Sequence, residues 1–408
     1  MRSSVRIARS RRVVRGSTTQ VRLQCLEDRV TPSRTLTVDD DRMQLRSAQY
    51  TTIQAAVNAA QAGDRILVYA GTYRESVVIP DAKDRISLSA TGRGVAKITT
   101  PTGALADATK SLVHVDGADD VTIRGFTVAG PGTGTADSLR YGILVDGGGS
   151  ADILDNRVLS IRDSRLSGTQ QGVGIQFGRL ATGESGSGSA VGNTVEDYQK
   201  GGIVVIGDGS RAEIVGNTVK GVGGTNVNAQ NGIQVSDGAH GAVVGNTVSG
   251  NKFTGANVAG IGILVYNTRK VAVTGNFTSG NDYGIELDTA ASIYVGGNKA
   301  FNNVLNGIDL FGSNDSEVVG NVSTGNGQDG IGLEDATGNS VSLNLALGNH
   351  RDGIHLDATA TDNRITVNAA LSNEGTDIVD LSTGTGTGGT ANTWRANKFN
   401  SKNPAGIR

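Results

Sequence analysis

Four strand-like segments in the second half of the chain put acids, a histidine and an aromatic at equivalent positions: Glu286 and Asp288, Asp309 and Phe311, Gly332 and Glu334, His355 and Asp357. Each follows a Gly-Ile pair in which the isoleucine and the apolar residue two places on share one face, so the residues between and after them face the other way. If these segments stack as neighbouring strands, carboxylates on adjacent strands lie about 5 Å apart and on alternate strands about 10 Å. Such separations bracket the carboxyl spacings of retaining and inverting glycoside hydrolases. Asp309 with Glu286 or Glu334 is the pair best placed for acid–base work, with His355 as a further proton carrier. Tyr266, at the same position one segment earlier, and Phe311 could stack on a sugar ring, with Asp288, Asp357 and Gln234 as polar contacts to substrate. Two other readings use the same residues. An exposed sheet flanked by loops can hold a long glycan by many weak contacts with no bond changed, and a column of acids can simply keep a long repeat array soluble and unpaired.

What must position these residues is a repeat. The Gly-Ile pair begins at Gly142, Gly174, Gly202, Gly232, Gly262, Gly284, Gly307, Gly330 and Gly353, and from Gly262 onward the interval is 22 or 23 residues. An asparagine follows each: Asn156, Asn193, Asn217, Asn246, Asn276, Asn298, Asn321, Asn344 and Asn368. A fixed period of this length fits one three-strand coil, and fixed-period self-similarity is the mark of a solenoid. The expected fold is therefore all-β, a right-handed parallel β-helix of about 10–12 coils. In it the Gly-Ile-x-Leu pairs stack in the bore, while the asparagines turn the chain in a left-handed conformation and hydrogen-bond the equivalent amide of the next coil. Asn246, Asn276, Asn298, Asn321, Asn344 and Asn368 are thus expected as a structural ladder. The stretch from asparagine to the next glycine is 8 or 9 residues in the late coils but 18 after Asn156, 15 after Asn217 and 16 after Asn246, so loops should emerge at one corner as a wall. The Gly174 coil is also enlarged by Ala181 to Ser189, and a loop is expected over the apolar outward residues Val204 and Ile206.

An open bore needs a cover. Thr52 can cap a short helix whose apolar residues Ile53, Ala56, Val57 and Ala60 share a face and which stops at Gly63. Arg65–Tyr69 then reads as a strand, Ala70–Tyr73 as a turn and Ser76–Ile79 as the next strand. The run Thr52-Ile53-Gln54-Ala55-Ala56 to Gly63-Asp64, followed by Gly71-Thr72-Tyr73-Arg74-Glu75, resembles the opening of pectin lyase-like β-helices, including pectinesterases and the β-helix of the periplasmic copper-binding family. Asn392-Thr393-Trp394 and Phe399 resemble a closing coil. Resemblance to pectate lyases implies calcium held by clustered acids, here Asp288, Asp309 and Glu334, while His355, Arg351 or Lys270 serves as base. The signatures of particular activities are absent. Only Asn306-Gly307-Ile308-Asp309 and Asn314-Asp315 echo the polygalacturonases, and the Asp-Pro-His-Glu of alginate epimerases and the Gly-Arg-Pro-Trp of pectinesterases are missing.

Composition agrees with a narrow bore. Of 408 residues 60 are glycine and 4% aromatic, so small and β-branched side chains must fill the interior. A net charge of −2 gives no field toward nucleic acid, and no run is apolar enough for a transmembrane helix. The single Cys25 excludes an internal disulfide, and four scattered histidines and two methionines make no dense copper or zinc site. Residues 1–45 read as a basic, disordered leader ahead of one β-helix domain over 46–400, with 46–80 as cap and 380–408 as closing coil and tail. Within the leader, Leu23-Gln24-Cys25-Leu26-Glu27-Asp28-Arg29 resembles the Leu-Glu-x-Leu-Glu-x-Arg segment of exported planctomycete proteins, which implies a secreted or cell-envelope location. A polysaccharide is the expected partner; the oligomeric state is open.

Overall fold

A computed structural model describes residues 33–105, 107–134 and 138–407. The arginines of residues 1–32, Cys25 and the Leu23–Arg29 segment lie outside the described residues. From Arg34 onward the chain winds through three parallel sheets of 14, 13 and 12 strands, visited in turn, which makes twelve complete coils with extra strands at the ends. Short strands at every turn keep the register: Ile143 pairs with Ile175, Ile203, Ile233 and Ile263 in succession. That isoleucine column, continued by Ile285, Ile308, Ile331 and Ile354, has no solvent exposure. Burial of one such side chain is worth about 1.5–3 kcal/mol, so the stack is a main source of stability.

The Gly of each Gly-Ile pair is required by a close approach. A Cβ on Gly262 would meet the Gly284 carbonyl oxygen at 2.5 Å, and one on Gly284 the Gly307 oxygen at 2.4 Å. The repeat is therefore spaced by backbone contact as well as by side-chain stacking.

Asparagines stack at the corner between the 14- and 12-stranded sheets. The amide N–H of Asn276 donates to Asn298 Oδ1 at 2.9 Å, that of Asn298 to Asn321 at 2.8 Å and that of Asn321 to Asn344 at 2.9 Å. The left-handed turn belongs to the preceding residue instead: Gly275, Gly297 and Gly320 have φ of 63°, 63° and 65°. The asparagine is thus free to aim its side chain inward. In the two following coils the same position holds Leu343 and Val367, with φ of 58° and 59°. Two further stacks complete the late coils. Asn251, Asn281, Asn303, Asn326, Asn349 and Asn373 bond in series at the corner entering the 13-stranded sheet. Ser316, Asn339, Asn363 and Asn392 do so at the corner leaving it.

Helix Ile53–Ala59 covers one end, with Thr52 accepting from the Ala55 amide and Ile53, Ala56 and Val57 buried. Glu75 accepts from the Ile53 and Gln54 amides at 2.8 and 2.9 Å, which ties the helix to the first coil. Two boundaries differ from expectation. Gly71–Arg74 is a strand, because Tyr73 points into the bore and Ala96–Thr99 pairs with it. Thr35–Val38, inside the expected leader, is also a strand: Leu36 and Val38 face inward and the segment pairs with Arg65–Val68. At the far end Trp394 is buried and donates from Nε1 to Asp380 at 2.7 Å.

Candidate functional site

The outward face of the 13-stranded sheet carries the candidate residues. Strands Ile261–Tyr266, Tyr283–Asp288, Ile308–Phe311, Ile331–Glu334 and Ile354–Leu356 align Leu264, Glu286, Asp309, Gly332 and His355 in one column. Tyr266, Asp288, Phe311 and Glu334 form the column beside it.

In the earlier coils the corner entering this sheet carries loops. The strands Thr218–Thr225 and Thr247–Phe253 run past their usual ends and pair with each other, Gly223 with Asn251 and Thr225 with Phe253. Their loops rise beside the sheet, and between wall and sheet lies a groove of about 680 Å³. Asn228, Phe253 and Val258 line it from the wall; Lys200, Tyr283, Glu286 and Asp288 line it from the sheet and its edge. The first asparagine of the corner stack, Asn251, stands where this wall ends and the regular coils begin.

Glu286 opens on this groove, yet its Oε2 is buried with no hydrogen-bond partner. Asp309, its register partner on the next strand, is only 3% exposed. Burial raises both carboxyls, and the like charge of Asp309 raises Glu286 further, with Asp288 and Glu334 adding to it. One hydrogen bond opposes this at Asp309, where Asn306 Nδ2 donates to Oδ1 at 2.6 Å. Asn306 is itself fixed, since its Oδ1 accepts from the Asp329 amide at 2.9 Å. Gly332 makes room for this pair: a Cβ there would lie 2.6 Å from both Asn306 Nδ2 and Asp309 Oδ1. Tyr283 is pushed up by burial and by the same acids.

The other sequence candidates separate. Asp309 is covered too well to line the groove, so contact with a bound chain falls to Glu286 and Asp288. Glu334 is half-buried beyond them. Tyr266 and Phe311 are 38% and 45% exposed on the open sheet, outside the groove lining. Gln234 is engaged by its own coil, accepting from Asn231 at 2.9 Å and donating to Ser236 at 2.9 Å. Asp357 closes a turn, with Oδ1 accepting from the Thr359 and Ala360 amides at 3.0 and 2.8 Å, and it is outside the groove lining. His355 Nδ1 bonds Asp352 at 2.8 Å, and Arg351 pairs with Asp329, which occupies that cation. Lys270 sits in a turn on the opposite side of the coil, among Arg211, Glu213 and Tyr294. The apolar Val204 packs in a small outer cluster with Tyr141, Leu144 and Val173 from earlier coils, with Ile206 against them, where a loop was expected.

For a cation, ligand atoms converge at Asp329, Asp352 and His355 and at His114, Asp116 and Asp146; the trio Asp288, Asp309 and Glu334 does not converge in this way. His114 lies between Asp107 and Asp146, 3.4 and 2.7 Å away, and Arg179 bonds Asp146 at 2.8 Å. Although burial opposes its charge, those two carboxylates hold the imidazolium up to about 9.

Lys200, Tyr283 and the His114 cluster escape sequence reasoning, which places Asn306 only within a motif echo and gives it no role of its own. Tyr283 had a signal: it stands one residue before Gly284 on a strand already identified. Lys200 had none, because its burial depends on a wall 30 to 60 residues away.

Comparison with known proteins follows the same lines. Residues 111–300 match the family described as right handed beta helix region, and residues 254–408 the one described as periplasmic copper-binding protein (NosD). No curated protein matches the sequence. Among solved structures, the periplasmic alginate epimerase AlgG is 15% identical with a TM-score of 0.51, over 84% of this chain and 77% of that one. XylC in complex with xylose is 14% identical, TM-score 0.53, over 86% and 77%. Dettilon tailspike protein is 18% identical, TM-score 0.55, over 78% and 62%. At such identities the likeness is one of fold, and together with the two family matches it makes the chain a right-handed parallel β-helix repeat protein.

Proposed function

We propose that the groove binds a polysaccharide chain and that Glu286 acts on it as a general acid. The observation that carries this reading is the Glu286 carboxyl itself: it opens on a walled groove, has a buried oxygen without a partner, and is held protonated by burial and by Asp309. A protonated carboxyl of this kind can give its proton to a glycosidic oxygen at neutral pH. Asp288, two residues along the same strand and about 6.6 Å away from Cα to Cα, faces the same side and offers the second carboxylate. With the two carboxyl groups about as far apart as their backbones, a water fits between them as in inverting hydrolases. Asp309 works through Glu286 as a positioning residue. That the solved structures of similar fold include proteins named for alginate and xylose supports a sugar polymer as ligand. A second reading, a binding surface with no chemistry, is favoured by the exposed rings of Tyr266 and Phe311 on the open sheet.

The leader's resemblance to export segments supports an envelope or extracellular location, and no helix among the described residues is long and apolar enough to cross a membrane. Among the described residues the copper in the matched family's name finds no suitable donor set. His114 and His355 are each paired with aspartates, His350 faces Glu374, His240 bonds a carbonyl, and the clusters formed around His114 and His355 each hold one histidine. Calcium would suit oxygen ligands, and Asp329 with Asp352 is the place where carboxylates approach each other near the column.

Incubation with uronate and neutral polysaccharides, with and without calcium, tests the reading by following unsaturated products and reducing ends together. Glu286→Gln should lower the rate by about 10²-fold or more. Asp309→Asn should instead move the basic limb of the pH profile to lower pH, because Glu286 loses the like charge that raises it. Silence of the wild type in every case, with glycan binding retained, leaves the binding surface as the function.

A further inference from the structure

Three features of Lys200 lead to one conclusion. It lines the groove three strands along the sheet from Glu286. Its Nζ donates one hydrogen bond, to the Ala229 carbonyl at 2.9 Å, and an ammonium group has three protons to give. Among the described residues no carboxylate pairs with it; Glu286 and Asp288, the acids lining the groove, lie on a different coil. Desolvation with no compensating anion lowers the pKa of this amine. A half-buried cation without a counter-ion costs free energy unless an anion completes it, and the opening beside it is the groove.

We infer that Lys200 is the anion-recognition point of the groove and binds the acidic substituent, carboxylate or sulfate, of a sugar unit held several units from Glu286. The distance follows from register. Gly201, next to Lys200, pairs with Asn231, which pairs with Ile261, which pairs with Tyr283 on the Glu286 strand. Three strand spacings of about 4.8 Å make roughly 14 Å along the solenoid. A chain lying parallel to the axis can therefore place a charged unit at Lys200 and a bond to be cleaved at Glu286. Side-chain amides of Asn228, Asn231 and Gln170 line the same end and are engaged with neighbouring protein groups, which leaves the ammonium as the group able to select charge.

This inference rests on the groove being a polysaccharide site, and the test separates the two. Binding of the full chain to three sets of oligosaccharides of matched length, uronate-containing, sulfated and neutral, is measured by calorimetry at two salt concentrations. Wild type should bind at least one acidic set, with affinity falling as salt rises. Lys200→Met, which keeps the length of the side chain and removes its charge, should weaken that binding at least ten-fold and abolish the salt dependence. Lys200→Arg should retain most of it, and the melting temperature of each variant reports folding. Which acidic set binds distinguishes carboxylate from sulfate. Acidic binding unchanged in Lys200→Met, or binding of neutral sugars alone, overturns the inference and leaves the groove as a sugar site. Binding of no glycan by wild type overturns both.

Discussion

Two parts of the same sheet face bury charge in opposite ways. In the early coils His114, Asp107, Asp146 and Arg179 alternate in sign and each meets its partner within 3.4 Å. In the later coils Glu286 and Asp309 set like charges on adjacent strands, with one oxygen left unpartnered. The first arrangement neutralises what it buries and so stabilises the fold. The second keeps a proton in place at the cost of repulsion, which a folding role alone does not explain.

The largest expected effect comes from breaking the balanced cluster. Asp146→Asn removes the buried carboxylate that His114 and Arg179 share, leaving them Asp107 and Glu184, and should cost about 3 kcal/mol in urea unfolding, while glycan binding in the groove stays as in wild type. If stability is unchanged, the contrast between the two regions falls.

A pH titration of stability sharpens the contrast. Glu286 is raised to about 8, whereas an unfolded glutamate titrates near 4.3. Its contribution is present below the unfolded value and lost as pH rises through the folded one. His114, raised to about 9 against about 6.5 unfolded, contributes fully below pH 6.5 and loses that contribution as pH passes 9. Thermal stability should fall across two overlapping windows, from about pH 4.3 to 8 for Glu286 and from about 6.5 to 9 for His114, each fall on the order of 1 kcal/mol. Glu286→Gln should remove the fall below about pH 6.5 that belongs to Glu286 and spare the one that ends near pH 9.

The smallest effect lies outside both regions. Leu343 and Val367 take the left-handed turn that glycine takes in the preceding coils, and they are 61% and 52% exposed. Leu343→Gly relieves a strained backbone and should raise stability by about 1 kcal/mol, read as a higher melting temperature.

The repeat was legible because each fixed residue answers a contact that recurs at the same distance. Gly284 must be small under the next carbonyl, and Ile285 must fill the bore. The asparagine column was legible too, although its conformation was not: a Gly-Asn pair does not reveal which residue takes positive φ until the side chain's target is known. Asn281, Asn303, Asn326 and Asn349 recur at the same period and could have been found with the rest. The candidate site was legible only as a list of outward acids. That Asp309 bonds Asn306 and that Asp357 serves a turn depend on which way each side chain aims, and that Lys200 has no carboxylate partner among the described residues depends on contacts between distant segments; local spacing carries neither.

Strand spacing in the coils has one more consequence. Any two side chains on this sheet are separated, along the axis, by a whole number of steps of about 4.8 Å. Inserting one regular coil between the wall, which ends before Ile261, and the Glu286 strand would lengthen the distance from Lys200 to Glu286 by a single step while leaving the Ala229 contact of Lys200 in place. The solenoid is in that sense a molecular ruler with discrete divisions, and chain-length preference could change in units of one repeat.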